Sequence, residues 1–390
     1  MSQLSIDKLR DIVARFPTTR DEDWKYTDLS RARDIAARWL EDRDAVAAPE
    51  LQDEVQAITG ALDAAWLVIA NGELQASQIP DGVVVTDIDS VTVVDSALAE
   101  FNAALAPDAL RIRVSGAVSR PIGLLLLDGA EQTSVAQAYI EIEFDDGADG
   151  EIIEYHASRG DADQYANTFV SIRLGTASAA SHVRIQDRAR HHVQTSKTRV
   201  HVGKDARFRS ASFDLGGGLI RNDIDIDIAN PGADIEFDGL YLAGDKQHID
   251  NHTRVDHRVG PATSRQEYRG ILNGRCRCVW NGKAIVHEGA DGTDADQANH
   301  NLLLSEKAEI DAKPELEIYT DDVKCSHGTT VGQLDETALF YLRTRGLDRN
   351  TAIQVLTHAF AAGLVSRVPV EAARETIGAL IEQRLEELAV

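Results

Sequence analysis

The chain has 390 residues, 43% of them hydrophobic and 27% charged, so it is long enough for more than one structural unit and apolar enough to exclude a wholly disordered protein. A formal net charge of −24 disfavours nonspecific binding to nucleic acid or to an anionic membrane surface. Three cysteines cannot form a disulfide framework, and the longest apolar runs, such as Ala64–Ala70, are too short to cross a membrane. The first residues are charged and lack an apolar signal region, so we expect a soluble protein of the cytoplasm.

Residues 1–110 predict a helical or mixed α/β cap. Apolar side chains recur at helical spacing from Leu9 to Phe16, and a proline ends that pattern. A second helical segment is expected at Ala32–Leu40. From residue 66 to about 94, short apolar runs are separated by Asn-Gly and Asp-Gly turn dipeptides, which favours a small α/β unit.

Residues 111–334 predict a long β region, because short stretches with period-two alternation follow one another between Gly, Asn and Asp. In the clearest stretch, Asn222–Ile228, three isoleucines alternate with Asp223, Asp225 and Asp227, as in a strand with one buried and one wet face. Similar strands are predicted at Arg199–Phe208 and Gly232–Phe237.

Two phrases of this region, Val202–Phe208 and Pro231–Phe237, resemble each other. The offset from Ala206 to Ala233 is 27 residues, which suits one coil of a β-solenoid. Lys307–Ile310 is a third candidate copy, three coils further on. The repeat is too weak to identify the fold unaided.

Residues 335–390 predict a helical domain. Asp335 is a good N-cap for a helix at Glu336–Arg345, and a glycine follows where a helix C-terminus favours one. Two more amphipathic helices are expected at Arg349–Ala362 and Val370–Leu388.

The common catalytic motifs are absent. The chain has no G-x-x-x-x-G-K-[ST] loop, no G-x-G-x-x-G fingerprint, no H-E-x-x-H and no G-x-S-x-G. We therefore do not expect it to hydrolyse ATP, and its chemistry must be sought in clusters of Cys, His and Asp.

The segment Tyr319–Gly328 carries the most reactive side chains. On an extended strand Cys325 and His327 would share a face, which gives a partial site for iron or zinc. Two ligands cannot complete a four-coordinate site, so the others must come from elsewhere in the fold or from a second subunit. The same pattern also fits a buried Cys at a strand end beside a hydrogen-bonded His.

Two further clusters are weaker candidates. His248 and His252 share a face if they lie on a strand, which suits either metal ligands or the polar outer face of a solenoid. Cys276 and Cys278 also share a face, but their alternation with Val279 favours core packing over thiol chemistry.

Several ordered segments resemble the SufB/SufD family of iron–sulfur cluster assembly proteins, and its SufD branch in particular. The N-terminal segment Glu22–Leu29 is similar to the signature of that branch, although its Trp24 and Tyr26 also suit docking of the N-terminal helix. Asp321–Asp335, followed by Phe340–Gly346, is similar to the C-terminal signature shared by the family. Three intervening segments fit as well: His248–His257, Ser264–Gly270 and Gln297–Ser305.

The resemblance implies a mainly β fold, a right-handed parallel β-helix flanked by N-terminal α/β and C-terminal helical segments. It implies a non-enzymatic scaffold subunit that pairs with a SufB homologue and docks the SufC ATPase. A transient cluster at the SufB interface would use His327 and Cys325. The SufC-binding surface would be carried by the helix after that segment: Phe340, Tyr341, Arg343 and Arg345.

The resemblance leaves several points open. It does not settle whether the whole complex carries FAD, whether the chain forms a homodimer without SufB, or what Cys276 and Cys278 do. No cofactor is expected to bind tightly to this chain alone.

Two alternatives belong to other functional classes. A β-helix enzyme acting on polysaccharide could use clustered Asp residues, such as Asp223, Asp225 and Asp227, as acid and base. An autonomous metalloenzyme could use His248, His252 and His327.

Overall fold

A computed structural model describes residues 5–41, 51–88, 91, 95–106, 108–129 and 131–388. It is mainly β, a β-solenoid of about seven turns with N-terminal α/β and C-terminal helical segments. The strands are β1 (Ala65–Ala70), β2 (Glu73–Ser77), β3 (Val83–Asp87), β4 (Ala109–Val114), β5 (Ile122–Gly129), β6 (Ser134–Phe144), β7 (Asp149–Arg159), β8 (Gln164–Leu174), β9 (Ala179–Asp187), β10 (Val193–Val202), β11 (Arg207–Asp214), β12 (Leu219–Ile228), β13 (Asp234–Ala243), β14 (His248–His257), β15 (Thr263–Leu272), β16 (Arg277–Val286), β17 (Thr293–Leu303), β18 (Glu309–Ile318) and β19 (Val323–Gly332). The helices are α1 (Ile6–Ala14), α2 (Ser30–Glu41), α3 (Gln52–Ala61), α4 (Ala97–Leu105), α5 (Glu336–Thr344), α6 (Arg349–Val365) and α7 (Glu371–Leu388).

Alternate strands of the solenoid belong to two sheets. The ten-stranded sheet has the order β19-β17-β15-β13-β11-β9-β7-β5-β1-β2, and the nine-stranded sheet has the order β18-β16-β14-β12-β10-β8-β6-β4-β3. All neighbours from β4 onward pair in parallel, whereas β2 and β3, at the opposite end from β18 and β19, pair antiparallel with β1 and β4. The chain therefore adds one strand to each sheet per coil.

The repeat found in the sequence corresponds to one coil. Arg207 lies opposite Asp234 in the β11–β13 pair, so the offset of 27 residues is confirmed as a coil length. Ala206 and Ala233 are buried at the corner just before each strand, where a small side chain fits. Ala308 fills the same kind of corner before β18, which belongs to the other sheet, so the third copy is not a whole number of coils further on.

The strand prediction at Arg199–Phe208 is wrong. β10 ends at Val202 and β11 begins at Arg207, and the chain turns between them at Asp205, whose φ is +55°. The alternation continues across this corner because the buried Ala206 falls in phase with the inward side chains of both strands. The strand predicted at Asn222–Ile228 is confirmed within β12.

Helices cover parts of both outer faces. α1, α2 and α4 form a core with Tyr165 and Val193 on the nine-stranded sheet. α3, α6 and α7 pack with Val183 and Leu240 on the ten-stranded sheet. The five helices predicted from the N- and C-terminal patterns are confirmed, and Asp335 caps α5 by accepting a hydrogen bond from the amide of Thr337.

The predicted N-terminal α/β unit begins with β1–β3, while residues 89–90 and 92–94 of that stretch lie outside the described residues. The division into domains 1–110, 111–334 and 335–390 stays a prediction. Within the part of the chain that the structure describes, no helix is both long and apolar enough to cross a membrane.

Candidate functional site at the open end of the solenoid

The solenoid has an open end at β18 and β19. Among the described strands, β18 pairs only with β16 and β19 only with β17, so each presents one unpaired edge of backbone N–H and C=O groups. Most side chains of β19 are exposed, and Val331 is 53% exposed. A long, exposed edge of this kind is a template for pairing with another strand.

Cys325 and His327 lie on this edge strand. They stand opposite Ala295 and Gln297 of β17, both of which are buried, so they continue two rows of inward-facing side chains to the open end. The strand geometry confirms that the two side chains share a face. Cys325 is half-buried, and burial raises the pKa of its thiol, while His327 is exposed.

The backbone around these two residues is anchored by side chains. Ser326 donates a hydrogen bond to Asp296, and the Thr329 hydroxyl donates to Oδ1 of Asn299 at 3.3 Å. By contrast, no hydrogen bond or ion pair within the described residues engages the His327 ring. Its imidazole nitrogens are therefore available to an external partner while its strand is held in place.

The described residues do not complete a metal site on their own. They contain no group of three or more His, Cys, Asp or Glu side chains that could hold a metal ion. Cys325 and His327 would need further ligands from outside this part of the chain.

Helix α5 presents a second exposed surface. Phe340 and Tyr341 are 68% and 57% exposed, and Arg343 and Arg345 are also exposed, whereas Leu339 is buried. Arg345 donates to the Tyr341 hydroxyl at 2.9 Å, and its guanidinium lies 5.2 Å from the centre of the Tyr341 ring. Neighbouring exposed aromatic side chains of this size are typical of a docking surface.

His248 and His252 have a different role in the structure: they lie on the outer face of β14 and hold the N-terminal segment. His248 Nε2 is 2.8 Å from the hydroxyl of Thr27, and His252 Nε2 is 3.2 Å from Oδ1 of Asp250. Asp250 also accepts from Arg221 at 2.6 Å. Burial lowers the pKa of His248, which suits a neutral imidazole in this contact.

The aromatic residues of the N-terminal segment complete this contact. The Arg221 guanidinium lies 4.3 Å from the centre of the Trp24 ring, and the Arg277 guanidinium lies 5.4 Å from that of Tyr26. Trp24 and Tyr26 therefore dock the N-terminal segment onto the solenoid. His327 belongs to the other sheet, so the structure does not gather it with His248 and His252.

Each aspartate of the acidic stripe on β12 is paired with a basic group. Asp223 lies 2.8 Å from Arg221, and Asp225 lies 3.1 Å from Lys197. Asp227 pairs with Arg258. The stripe is thus a charge-compensated outer face, and none of its carboxylates stands apart as a free acid or base.

Cys276 and Cys278 are fully buried in the interior core, as expected from their pattern. Cys276 occupies the corner before β16 that alanines fill before other strands. Packing in the core therefore explains why small apolar side chains stand at both positions.

Sequence reasoning missed a polar half of the solenoid interior. Glu154 lies 2.5 Å from His156 and 3.1 Å from His182. Burial alone would raise the pKa of the Glu154 carboxyl, but the two imidazoles hold this pKa below its usual range. Nearby, Asp214 accepts from Arg184 at 3.2 Å and from the amides of Asn222 and Asn251 at 3.1 Å. The signal was available as polar residues at inward positions of otherwise apolar strands.

The chain was compared with known proteins. The family model for the SUF system FeS cluster assembly SufBD core domain matches residues 126–360. The chain is 30% identical to the iron–sulfur cluster assembly protein SufD of Escherichia coli over 386 residues, covering 95% of this chain and 89% of that protein. It is also 30% identical over 377 residues to an iron–sulfur cluster assembly SufBD family protein of Mycobacterium leprae, covering 95% of this chain and 90% of that protein, and 28% identical over 393 residues to one of Synechocystis, covering 91% and 84%.

Proposed function

Because the chain belongs to the SufBD core family of the SUF iron–sulfur cluster assembly system, we propose that it is a non-catalytic scaffold subunit on which a cluster is built at the interface with a homologous partner. The observation that carries this proposal is the open end of the solenoid, where the unpaired edge strand β19 displays Cys325 and His327 together. An edge that recruits another chain and a pair of metal-binding side chains on that edge suit one shared site.

The proposed partner is a SufB homologue that adds its own edge strands to β18 and β19. Main-chain hydrogen bonds across the joined edges would supply affinity, and side chains of alternate residues would supply specificity. A homodimer through the same edges is the expected state when that partner is missing, since the free edge then meets its own copy.

The proposed cluster is cargo of this interface and is not a resident group of the chain. The imidazole of His327 and the thiolate of Cys325 would bind iron, and the partner would provide the remaining ligands. The burial that raises the pKa of Cys325 disfavours its thiolate until iron is bound, which makes His327 the stronger ligand candidate. The presence of FAD in the whole complex stays an open expectation.

The proposed docking surface for the SufC ATPase is the exposed face of α5, with Phe340 and Tyr341 as apolar anchors and Arg343 and Arg345 as charged neighbours. ATP-driven motion of that partner would rearrange the joined solenoids and open the interfacial site.

The experiment that tests the proposal is anaerobic purification of the tagged chain from its own cells, with mass spectrometry of the proteins that co-elute. We expect an ATPase and a larger homologous solenoid protein in stoichiometric amounts. A chain that elutes alone and carries tightly bound metal would contradict the proposal.

A further inference from the structure

The C-terminal helices meet the solenoid through two kinds of contact. α7 packs through a buried apolar row that includes Ile377, Ile381 and Leu385. The C-terminal end of α6 shares that apolar cluster through Ala361 and Leu364 and adds a polar contact with outward side chains of β13 and β15. Because α5 packs mainly against α6, a force applied to the exposed face of α5 reaches the solenoid through α6.

Arg269 of β15 forms the centre of the polar contact. Its Nη1 donates to the carbonyl oxygen of Phe360 at 2.5 Å, and its guanidinium lies 5.3 Å from the centre of the Phe360 ring. Its Nε donates to Glu267 at 2.7 Å. One arginine therefore contacts both the backbone and the side chain of the same residue of α6.

Gly363 makes the space for this guanidinium. A Cβ at this position would lie 2.8 Å from Nη1 of Arg269, too close for a normal contact. A glycine inside a helix destabilises it relative to alanine, because the backbone loses more conformational freedom. Its presence in the last turn of α6 is accounted for by the arginine that it admits.

A second arginine fixes the same end of the helix. Arg367, just after α6, donates through Nη2 to Glu267 at 2.7 Å and lies 3.2 Å through Nε from Asp238. The Glu267 carboxylate thus bridges Arg269 and Arg367, and it links the end of α6 to β15.

The sheet leads from this contact to the edge strand. Arg269 lies opposite His300 of β17, and His300 lies opposite Thr330 of β19. His300 Nδ1 and the Thr330 hydroxyl are 2.9 Å apart. These three residues form one outward row across neighbouring strands, and the row ends three residues from His327.

We propose that Arg269, seated against Phe360 and Gly363, is the joint through which movement of α5 and α6 is transmitted to β19. Arg269 is a positioning residue that acts through β17 on the strand bearing His327. The inference rests on the proposed function, since it assumes that an ATPase docks on α5. It adds the route by which that docking reaches the interfacial site.

The test is hydrogen–deuterium exchange of the full chain with and without the SufC-type ATPase. In the wild type, ATPase binding should change amide exchange in residues 323–332. The variants Gly363→Ala, which fills the space for the guanidinium, and Arg269→Met, which removes it, should bind the ATPase normally but reduce that change about fivefold or more. Gly378→Ala in α7 is the matched control, because a Cβ there meets nothing within 4 Å, and it should behave as the wild type.

The outcomes separate the two proposals. A wild-type chain that does not bind the ATPase would refute the proposed docking surface and, with it, the proposed role of Arg269. If Gly363→Ala and Arg269→Met both bind the ATPase normally and β19 shows the same change in amide exchange as in the wild type, only the proposed role of Arg269 is refuted. If Gly363→Ala does not fold, Arg269→Met still decides the matter, since it changes no backbone conformation.

Discussion

The hydroxyl of Thr27 lies 2.8 Å from Nε2 of His248, although more than half of the chain separates the two residues. The same hydroxyl donates its single proton to Asp250, so it must accept a hydrogen bond from a protonated Nε2 of His248. This geometry fixes the neutral tautomer of His248 and fastens the N-terminal segment to the solenoid.

Replacing Thr27 with valine should loosen this contact. Thr27→Val leaves Nε2 of His248 without its partner and removes one of the hydrogen bonds to the buried Asp250, which keeps Arg221. We therefore expect a loss of about 1–3 kcal/mol in the free energy of unfolding. Urea denaturation measures it, with Thr86→Val at an exposed strand position as the control. Equal stability of the two variants would mean that the contact contributes nothing.

Removing the imidazole of His327 should affect cluster formation and leave the fold intact. His327→Ala should keep its melting temperature and its partners, because the ring makes no hydrogen bond or ion pair within the described residues, but the complex should hold less iron and sulfide. Lys324→Ala, on the opposite face of β19, should match the wild type. Normal iron and sulfide content in the His327→Ala complex would rule out its role as a ligand.

Reversing the charges of α5 should weaken docking of the ATPase. Arg343→Glu combined with Arg345→Glu replaces two positive charges with negative ones beside the exposed aromatic side chains. We expect the affinity for the ATPase to fall about tenfold or more. Calorimetric titration of the full chain measures it. The matched control is Arg10→Glu in α1, where affinity should not change, and equal affinity of all three proteins would place the docking surface elsewhere.

Stability should fall as the pH is lowered from about 6.5 toward 4. Burial lowers the pKa of His257 to about 4 and that of His192 to about 3, so below the usual histidine pKa the unfolded chain binds protons that the folded chain does not. Each such histidine contributes up to about 1.4 kcal/mol of lost stability per pH unit. Denaturant unfolding at several pH values in this range measures the slope. His257→Gln should reduce the slope of stability against pH by the contribution of about one bound proton. A slope that does not change would show that His257 is protonated in the folded chain.

The β strands could be predicted where one face is apolar. β12 was found because Ile226 and Ile228 are buried and alternate with solvated aspartates. The corner at Ala206 was missed because a small buried residue continues the alternation across a turn. Local pattern therefore identifies strands more reliably than it identifies their ends.

The inward polar residues are visible in the sequence as interruptions of apolar strands, but the groups that compensate them are not. Arg184 and Asp214 are both fully buried, and they compensate each other's charge because they lie 3.2 Å apart on neighbouring coils. A single strand gives no sign of this compensation. Likewise, the sequence placed Cys325 and His327 on one face, but only the sheet order shows that their strand is the last of its sheet.

The two ends of the solenoid differ, and this difference limits how many chains can join. One end finishes in the full-length parallel strands β18 and β19, while the other finishes in the five-residue antiparallel strands β2 and β3. A rod with two equivalent ends can polymerise head to tail into a fibre, but a rod with one adhesive end is consumed by a single association. Assembly through β18 and β19 would therefore stop at a pair.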